Sequence, residues 1–153
     1  MSYFHNKRVW VTGASSGIGR DVAIKLSKLG AELILTARSR DKLEEVKKEC
    51  GNAKTHIFEH DLSNLDTIDD LVSKVANQVG TIDILFNNAG ISAYSSANET
   101  NFAVYEQVMK LNFLSVVKLT KCILPQMISN KRGQIVTNTS LSGKLGSKKR
   151  SVY

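Results

Sequence analysis

Apolar residues follow two alternating patterns along the chain: short continuous runs, and longer stretches with helical spacing. The short runs are typical of strands that are buried on both faces. They lie at Arg8–Gly13, Glu32–Ala37, Lys54–His60, Ile82–Phe86 and Gln134–Thr139. The stretches between them predict amphipathic helices, because an apolar residue recurs every three or four positions. These helices are expected from Ile18 to Leu29, from Asp41 to about Cys50, from Ile68 to Val79, and over most of the segment from Asn101 to about Asn130.

The regular alternation of strands and helices indicates an α/β fold. Crossover connections of this kind place successive strands parallel, with helices on both faces of the sheet. We therefore predict a Rossmann-type doubly wound parallel sheet of about five strands, forming one dinucleotide-binding domain over residues 1–153. Ligands of such sheets bind at the carboxyl ends of the strands, so the chemistry is expected in the turns that follow them.

Three glycines lie in the turn between the first strand and the first helix, in the sequence TGASSGIG from Thr12 to Gly19. Glycine allows a tight turn, and a helix N-terminus offers free N–H groups and a positive dipole end to a pyrophosphate. The strand–turn–helix context therefore predicts a dinucleotide site. Its expected members are Gly13, Ser15, Ser16, Gly17, Ile18 and Gly19. The alternative is a glycine-rich turn that binds no ligand.

The end of the second strand favours NADP(H) over NAD(H). Sites that prefer NAD place an Asp or Glu there to bind the ribose hydroxyls. Here Ala37 holds that place, and Arg38 and Ser39 follow. A carboxylate would repel a 2′-phosphate, whereas a guanidinium pairs with it through two hydrogen bonds. The alternative is that Arg38 is an ordinary exposed arginine.

The charge pattern gives little support for a nucleic-acid partner, although the formal net charge is +7. The most concentrated basic stretch is Lys144 with Lys148–Arg150, and no aromatic residues interleave with it as a stacking platform would require. We expect a solvated loop there and no nucleic-acid binding. A basic nucleic-acid-binding domain on the same fold is the last-ranked alternative.

Other features exclude further classes of function. No run of 18 apolar residues occurs, so no membrane-spanning segment is expected in the chain. Cys50 and Cys122 have no metal or redox spacing and are expected to be packed thiols of a reducing compartment. His56 and His60 lie in a predicted strand, about 13 Å apart, too far to share one metal. No metal site is predicted.

Together, the motifs resemble the short-chain dehydrogenase/reductase family over essentially the whole chain. The spacing Gly13-x-x-x-Gly17-x-Gly19 is similar to the family's glycine motif. Asp61-Leu62 resembles its adenine-contacting pair, and Asn87-Asn88-Ala89-Gly90 resembles its Asn-Asn-Ala-Gly motif. Asn112, Ser140 and Tyr153 lie where the family keeps a catalytic asparagine, serine and tyrosine. The segments Thr36–Ser39 and Cys122–Met127 look most like the hydroxysteroid dehydrogenase and microsomal dehydrogenase/reductase groups.

The resemblance implies an NADP(H)-dependent oxidoreductase that interconverts a carbonyl and a secondary alcohol by hydride transfer. Tyr153 would exchange a proton with the substrate oxygen, Ser140 would hydrogen-bond that oxygen, and Asn112 would support the proton-relay geometry. From the residues alone, Asn88-Ala89-Gly90 could equally be a simple turn, and Asn112 an exposed or backbone-bonded asparagine. The substrate would be a small carbonyl or alcohol, with a lipid-like or steroid-like molecule as one class.

The sequence departs from the family pattern at its end. The family keeps a lysine four residues after the tyrosine, and the sequence as given stops at Tyr153. We therefore expect the N-terminal part of a longer family fold, inactive alone; the alternative is a non-catalytic nucleotide-binding or regulatory truncated form. A full-length parent is expected to be a homo-oligomer, paired partly through the long helix. The expected location is cytoplasmic, with the endoplasmic reticulum membrane as the alternative for a longer parent.

Overall fold

Five parallel strands form a single sheet in the computed structural model, which describes residues 2–146 and 148–152. The strands are β1 (Arg8–Thr12), β2 (Glu32–Ala37), β3 (Thr55–Glu59), β4 (Ile84–Asn87) and β5 (Gln134–Thr137). Their order across the sheet is β3-β2-β1-β4-β5, so the chain builds outward from β1 first on one side and then on the other. This order confirms the predicted doubly wound sheet and places a topological switch between β1 and β4.

Helices cover both faces of the sheet. They are α1 (Gly17–Lys28), α2 (Arg40–Glu49), α3 (Ile68–Val79), α4 (Phe102–Met109) and α5 (Ser115–Ser129). Two short 3₁₀ turns lie at Leu65–Thr67 and Leu141–Gly143. Each strand after β1 is reached through at least one helix, as parallel pairing requires.

The core consists of two apolar layers, one on each face of the sheet. Trp10, Ile34 and Leu85 point to one face, where they pack with buried residues of α3 and α5. Their strand neighbours Val11 and Leu35 point to the other face and pack with residues of α1 and α2. Because successive side chains of a strand alternate between faces, the continuous apolar runs of β1 and β2 fill both layers.

Two predicted element bounds are wrong for reasons that the contacts show. Helix α2 begins at Arg40 rather than Asp41, because Ser39 is its N-cap and accepts a 3.5 Å hydrogen bond from the Lys42 backbone N–H. Ile82 was predicted as the start of a strand, but β4 begins at Ile84. The Ile82 backbone N–H and C=O are each bonded to the Gln126 side chain at 3.2 Å, which substitutes for a strand partner.

The predicted long helix is interrupted by a wider turn. Residues Lys110–Leu114 form a π-helical turn between α4 and α5, so the three segments make one continuous helix. Asn112 lies within it and is hydrogen-bonded to the backbone of Ile91. Turns of this kind occur mostly as single insertions and are frequent at functional sites.

The same helix, taken as Phe102–Ser129, is long and apolar enough to cross a membrane by length and composition. The sequence argument did not detect it because it required an unbroken apolar run. In the described residues one face of the helix completes the core, with Leu119, Ile123 and Met127 buried against the sheet. The opposite face exposes apolar side chains, among them Phe113 and Ile128.

A charged cluster closes the amino end of β2. The Glu32 carboxylate forms an ion pair with Lys54 Nζ at 2.8 Å. It also accepts hydrogen bonds from His56 Nε2 at 2.8 Å and Arg8 Nε at 3.3 Å. Partial burial by itself raises the pKa of the Glu32 carboxyl, but the bonds from these three residues outweigh it and lower the pKa overall. A carboxylate with a lowered pKa stabilises the folded state at neutral pH.

We expect Thr36→Val to destabilise the fold by about 1–3 kcal/mol, because it leaves a buried donor without a partner. Trp10 Nε1 donates a 2.9 Å hydrogen bond to Thr36 Oγ1, and both residues are fully buried. Urea unfolding followed by the fluorescence of Trp10, the single tryptophan of the chain, measures the change. Thr36→Ser keeps the hydroxyl and is expected to recover most of the loss. A loss in Thr36→Ser as large as that in Thr36→Val would contradict the assignment to the hydrogen bond, because serine keeps the hydroxyl.

We expect Glu32→Gln to lower the free energy of unfolding at pH 7 and to flatten its decline in acid. Because the folded-state pKa of Glu32 lies below the unfolded value of about 4.3, its contribution is complete above that pH and is lost as the pH falls through the folded-state pKa. Urea unfolding measured from pH 7 down to the acid limit of the fold tests this. The control is Glu45→Gln, at an exposed position of α2. Parallel pH profiles for wild type and Glu32→Gln would contradict the prediction.

Candidate dinucleotide site

A cleft of about 350 Å³ lies at the carboxyl ends of the strands, over the switch between β1 and β4. Four chain segments form it: the turn after β1, the end of β2 with the start of α2, the turn after β3, and the segment after β4. Its lining consists of Gly13, Ser15, Ser16, Thr36, Ala37, Arg38, Ser39, Lys42, His60, Asp61, Leu62, Asn88, Ala89, Gly90, Ile91 and Leu111. This is the place where doubly wound sheets bind their ligands.

The turn after β1 requires glycine for two different reasons. Gly13 and Gly17 have φ values of +64° and +53°, a region that favours glycine. Gly19 has no such constraint, but a Cβ there would overlap the Gly13 carbonyl oxygen and lie 2.6 Å from Asn88 Nδ2. The first turn of α1 is therefore packed directly on the backbone of the turn and on the segment after β4.

The N-terminus of α1 faces this turn without a side-chain cap. Ser16 precedes the helix in an extended conformation and its side chain makes no capping hydrogen bond. No acidic residue lies in the first turn of the helix. The free N–H groups and the positive end of the helix dipole suit a phosphate group. A pyrophosphate therefore fits the residues that the structure places here.

Thr12, at the end of β1, holds the segment after β4 in place. Its buried Oγ1 accepts hydrogen bonds from the backbone N–H groups of Asn88 at 2.9 Å and Ala89 at 3.0 Å, and donates to the Phe86 carbonyl at 3.3 Å. The Asn88 side chain links the segment after β4 to the end of β1. Its Nδ2 donates hydrogen bonds to the carbonyls of Thr12 at 3.1 Å and Gly13 at 3.4 Å. The sequence analysis missed Thr12, whose only signal is its place directly before Gly13.

The end of the cleft beside β2 is basic. Arg38 is exposed, Ser39 caps α2, and Lys42 reaches the cleft from the first turn of that helix. No carboxylate occupies the Ala37 position at the end of β2. The sequence analysis found Arg38 and Ser39 but missed Lys42, whose spacing from Ser39 by one helical turn was the available signal.

Asp61 and His60 form the wall after β3. Partial burial raises the pKa of Asp61, but hydrogen bonds from the Ser63 backbone and hydroxyl at 2.9 and 2.7 Å, with the nearby Arg38 charge, lower it overall. Burial lowers the pKa of His60, whose Nε2 lies 3.1 Å from Thr67 Oγ1. At neutral pH this wall therefore presents a carboxylate beside a neutral imidazole.

Asn112 is a backbone-bonded asparagine of the long helix. Its Oδ1 accepts from the Ile91 N–H at 2.9 Å and its Nδ2 donates to the Ile91 carbonyl at 2.8 Å. This pair of bonds attaches the segment after β4 to the π-helical turn. Asn112 does not line the cleft itself, but Ile91 and Gly90 do.

Ser140 lies just after β5, outside the lining of the cleft. Its Oγ accepts a 3.1 Å hydrogen bond from the Ser142 N–H and so caps the 3₁₀ turn that follows. The third predicted catalytic residue, Tyr153, lies outside the residues that the structure describes.

The structure brings most of the predicted cofactor residues to one cleft and leaves three beside it. Gly17, Ile18 and Gly19 form the first turn of α1 and do not line the cleft, and Ile18 is exposed. The lining residues that sequence reasoning missed are Thr36, Lys42, His60, Ile91 and Leu111. Ile91 and Leu111 had no local signal, since only the tertiary fold brings them together.

The remaining predictions concern metal ligands, cysteines and histidines. Within residues 2–146 and 148–152, no group of three His, Cys, Asp or Glu side chains could hold a metal ion. Cys50 is buried and Cys122 is half-buried, and both are free thiols. His56 lies in β3, bonded to Glu32, while His60 lies after the strand.

Comparison with known proteins identifies the family of the chain. The family model described as short chain dehydrogenase matches residues 7–153. Dehydrogenase/reductase SDR family member 7 of Mus musculus is 45% identical over 88% of this chain and 42% of its own length. Dehydrogenase/reductase SDR family member 7B of Xenopus laevis is 34% identical over 99% of this chain and 50% of its own length. The chain thus spans about half the length of the curated relatives it matches.

Solved structures with the same fold contain both types of nicotinamide cofactor. A metagenomic short-chain oxidoreductase in complex with NADP has a TM-score of 0.94 and 33% identity, over 99% of this chain and 70% of its own. An NAD⁺-bound xylitol dehydrogenase has a TM-score of 0.93 and 26% identity, over 99% of this chain and 60% of its own. With the family model, these similarities show that the chain belongs to the short-chain dehydrogenase family of nucleotide-binding oxidoreductases.

Proposed function

We propose that the chain is the dinucleotide-binding part of an NADP(H)-dependent oxidoreductase that interconverts a carbonyl and a secondary alcohol. The observation that carries the choice of cofactor is the basic end of β2, where Arg38 and Ser39 follow Ala37. Residues 1–153 then correspond to the N-terminal part of a longer family fold, in line with the share of the relatives that the chain spans.

Arg38, Ser39 and Lys42 together suit a 2′-phosphate on the adenosine ribose. The guanidinium forms paired hydrogen bonds to phosphate oxygens, and the Lys42 ammonium adds a second positive charge from α2. The Ser39 hydroxyl and the N-terminus of α2 contribute further donors. One solved relative contains NADP and another contains NAD⁺. Our choice of NADP(H) for this chain therefore rests on the residues at this end of the cleft.

The proposed catalytic residues are Asn112, Ser140 and Tyr153. A bound nicotinamide supplies or accepts the hydride. Tyr153 exchanges a proton with the substrate oxygen, and Ser140 donates a hydrogen bond that orients the same atom. Asn112 supports this geometry by fixing Ile91, at the wall of the cleft, to the π-helical turn. A positioned proton donor accelerates such a step by about 10²- to 10⁴-fold.

The substrate that we propose is a small carbonyl or alcohol compound, with lipid-like and steroid-like molecules as one class. We propose a homo-oligomer for a full-length parent, because the long helix Phe102–Ser129 exposes apolar side chains such as Met109, Phe113 and Leu124. We place the protein in the cytoplasm, with the endoplasmic reticulum membrane as the alternative for a longer parent.

We expect the chain to bind NADPH more tightly than NADH, and Arg38→Leu to remove the difference. Loss of one or two charge-assisted hydrogen bonds weakens NADPH binding by about ten- to a hundredfold and leaves NADH binding unchanged. Calorimetric titration with each cofactor at fixed salt measures both affinities. Arg40→Leu is the matched control, because Arg40 is exposed, pairs with Glu44 and does not line the cleft. Equal affinity of the wild type for the two cofactors would contradict the proposed NADP(H) preference.

A turnover assay with the same protein tests the expectation that this chain is inactive alone. We expect selective binding of NADPH without its oxidation in the presence of a carbonyl compound. Detectable turnover by the purified chain would contradict this expectation.

We expect Gly19→Ala to abolish measurable cofactor binding, because the added Cβ overlaps the Gly13 carbonyl and contacts the Asn88 amide. Relief of this contact must displace the turn that faces the pyrophosphate. Gly146→Ala is the control, since a Cβ at Gly146 meets no atom within 4 Å. Calorimetric titration reports binding, and circular dichroism shows whether the fold is kept. Unchanged binding by a folded Gly19→Ala variant would mean that the cofactor does not use this turn.

A further inference from the structure

The side-chain amide of Asn138, which directly follows β5, contacts Asn88 in the lining of the candidate cleft. The Asn138 backbone N–H continues the β4–β5 ladder with a 2.8 Å hydrogen bond to the Asn87 carbonyl. This pairing places its side chain beside Asn88, and Asn138 Nδ2 donates to Asn88 Oδ1 at 3.0 Å. Asn138 belongs neither to the glycine turn nor to the proposed proton-transfer residues.

The hydrogen bond from Asn138 favours one of the two possible orientations of the Asn88 amide group. Asn88 Nδ2 already donates to the carbonyls of Thr12 and Gly13, and Asn138 occupies the oxygen on the opposite side. If the Asn88 amide were reversed, its oxygen would face two carbonyls and its NH₂ would face the Asn138 NH₂. All three contacts would then be repulsive.

The position of this amide matters because the glycine turn is packed on it. Asn88 Nδ2 lies 2.6 Å from the site of a Cβ at Gly19 and 3.1 Å from that of a Cβ at Gly13. A rotation of the amide therefore changes the space beneath both glycines. Since Asn88 also lines the cleft, such a rotation alters the cofactor site directly.

We propose that Asn138 is a positioning residue for the dinucleotide site, acting through Asn88. It links the strand that leads to Ser140 with the turn that faces the pyrophosphate. The inference rests on the proposed function, because its consequence is an effect on cofactor affinity. The Asn138 side chain is exposed, so its contribution to the stability of the fold is small.

Affinity measurements on three variants test this role. We expect Asn138→Ala to weaken NADPH binding by about three- to tenfold, the usual range for one hydrogen bond. Asn138→Asp has the same size but offers an acceptor to the Asn88 oxygen, and is expected to weaken binding further. Asn52→Ala, at an exposed asparagine on a loop away from the cleft, is the matched control and is expected to bind as the wild type.

A double-mutant cycle shows whether Asn138 acts through Asn88. If it does, Asn138→Ala adds no further loss of affinity in a chain that already carries Asn88→Ala. Additive losses would overturn the proposal, as would wild-type affinity in both Asn138→Ala and Asn138→Asp.

The side-chain amide signals of Asn88 in ¹⁵N–¹H spectra give a readout that needs no cofactor. We expect these signals to shift in Asn138→Asp and Asn138→Ala, but not in Asn52→Ala. If the wild type bound neither NADPH nor NADH, the proposed function would fail, and unshifted Asn88 signals would separately overturn the positioning role. If Asn138→Ala does not fold, the Asn88 amide signals of Asn138→Asp decide, because they are read without the phosphate groups that the added charge repels.

Discussion

The hydrogen bonds of Thr12 hold together the carboxyl ends of the two strands on which the site depends. A doubly wound sheet must separate the connections that leave β1 and β4, because these run to opposite faces of the sheet. The separation opens a crevice and would also leave backbone N–H groups without partners. The Thr12 hydroxyl satisfies two of these, from Asn88 and Ala89, and is itself fully buried. The crevice is thus kept open by hydrogen bonds that cross its base.

The close approach at this base explains why the turn residues are small. Asn88 returns two hydrogen bonds to the backbone of Thr12 and Gly13, and the first turn of α1 packs onto the same atoms. Side chains at Gly13 or Gly19 would fill that space. The start of α1, which has no side-chain cap, therefore packs on backbone and amide atoms beside the cleft.

Sequence reasoning recovered what depends on local pattern and missed what depends on contacts between distant segments. The apolar runs located all five strands, and the runs of β1 and β2 are buried on both faces of the sheet. The glycine spacing identified the turn because positive φ values are a local requirement. Ile82 was assigned to a strand because nothing near it reveals that Gln126 takes both of its backbone groups. Thr12 and Lys42 were missed because their only signals are positional: Thr12 directly precedes Gly13, and Lys42 lies one helical turn after Ser39.

The two ends of the sheet use polar groups in opposite ways, and this difference locates the chemistry. At the amino end, charges satisfy each other: Glu32 has three basic partners, and Asp83 accepts from the Arg8 backbone N–H and pairs with Arg132. At the carboxyl end, the N-terminus of α1 lacks a side-chain cap, and Arg38 meets Asp61 only through a longer-range charge interaction. Donors that are aimed at a cleft and incompletely paired within the protein are the groups that an anionic ligand can use. The carboxyl end of the sheet therefore carries the candidate site, and its uncapped helix N-terminus and exposed Arg38 suit a phosphate-bearing cofactor.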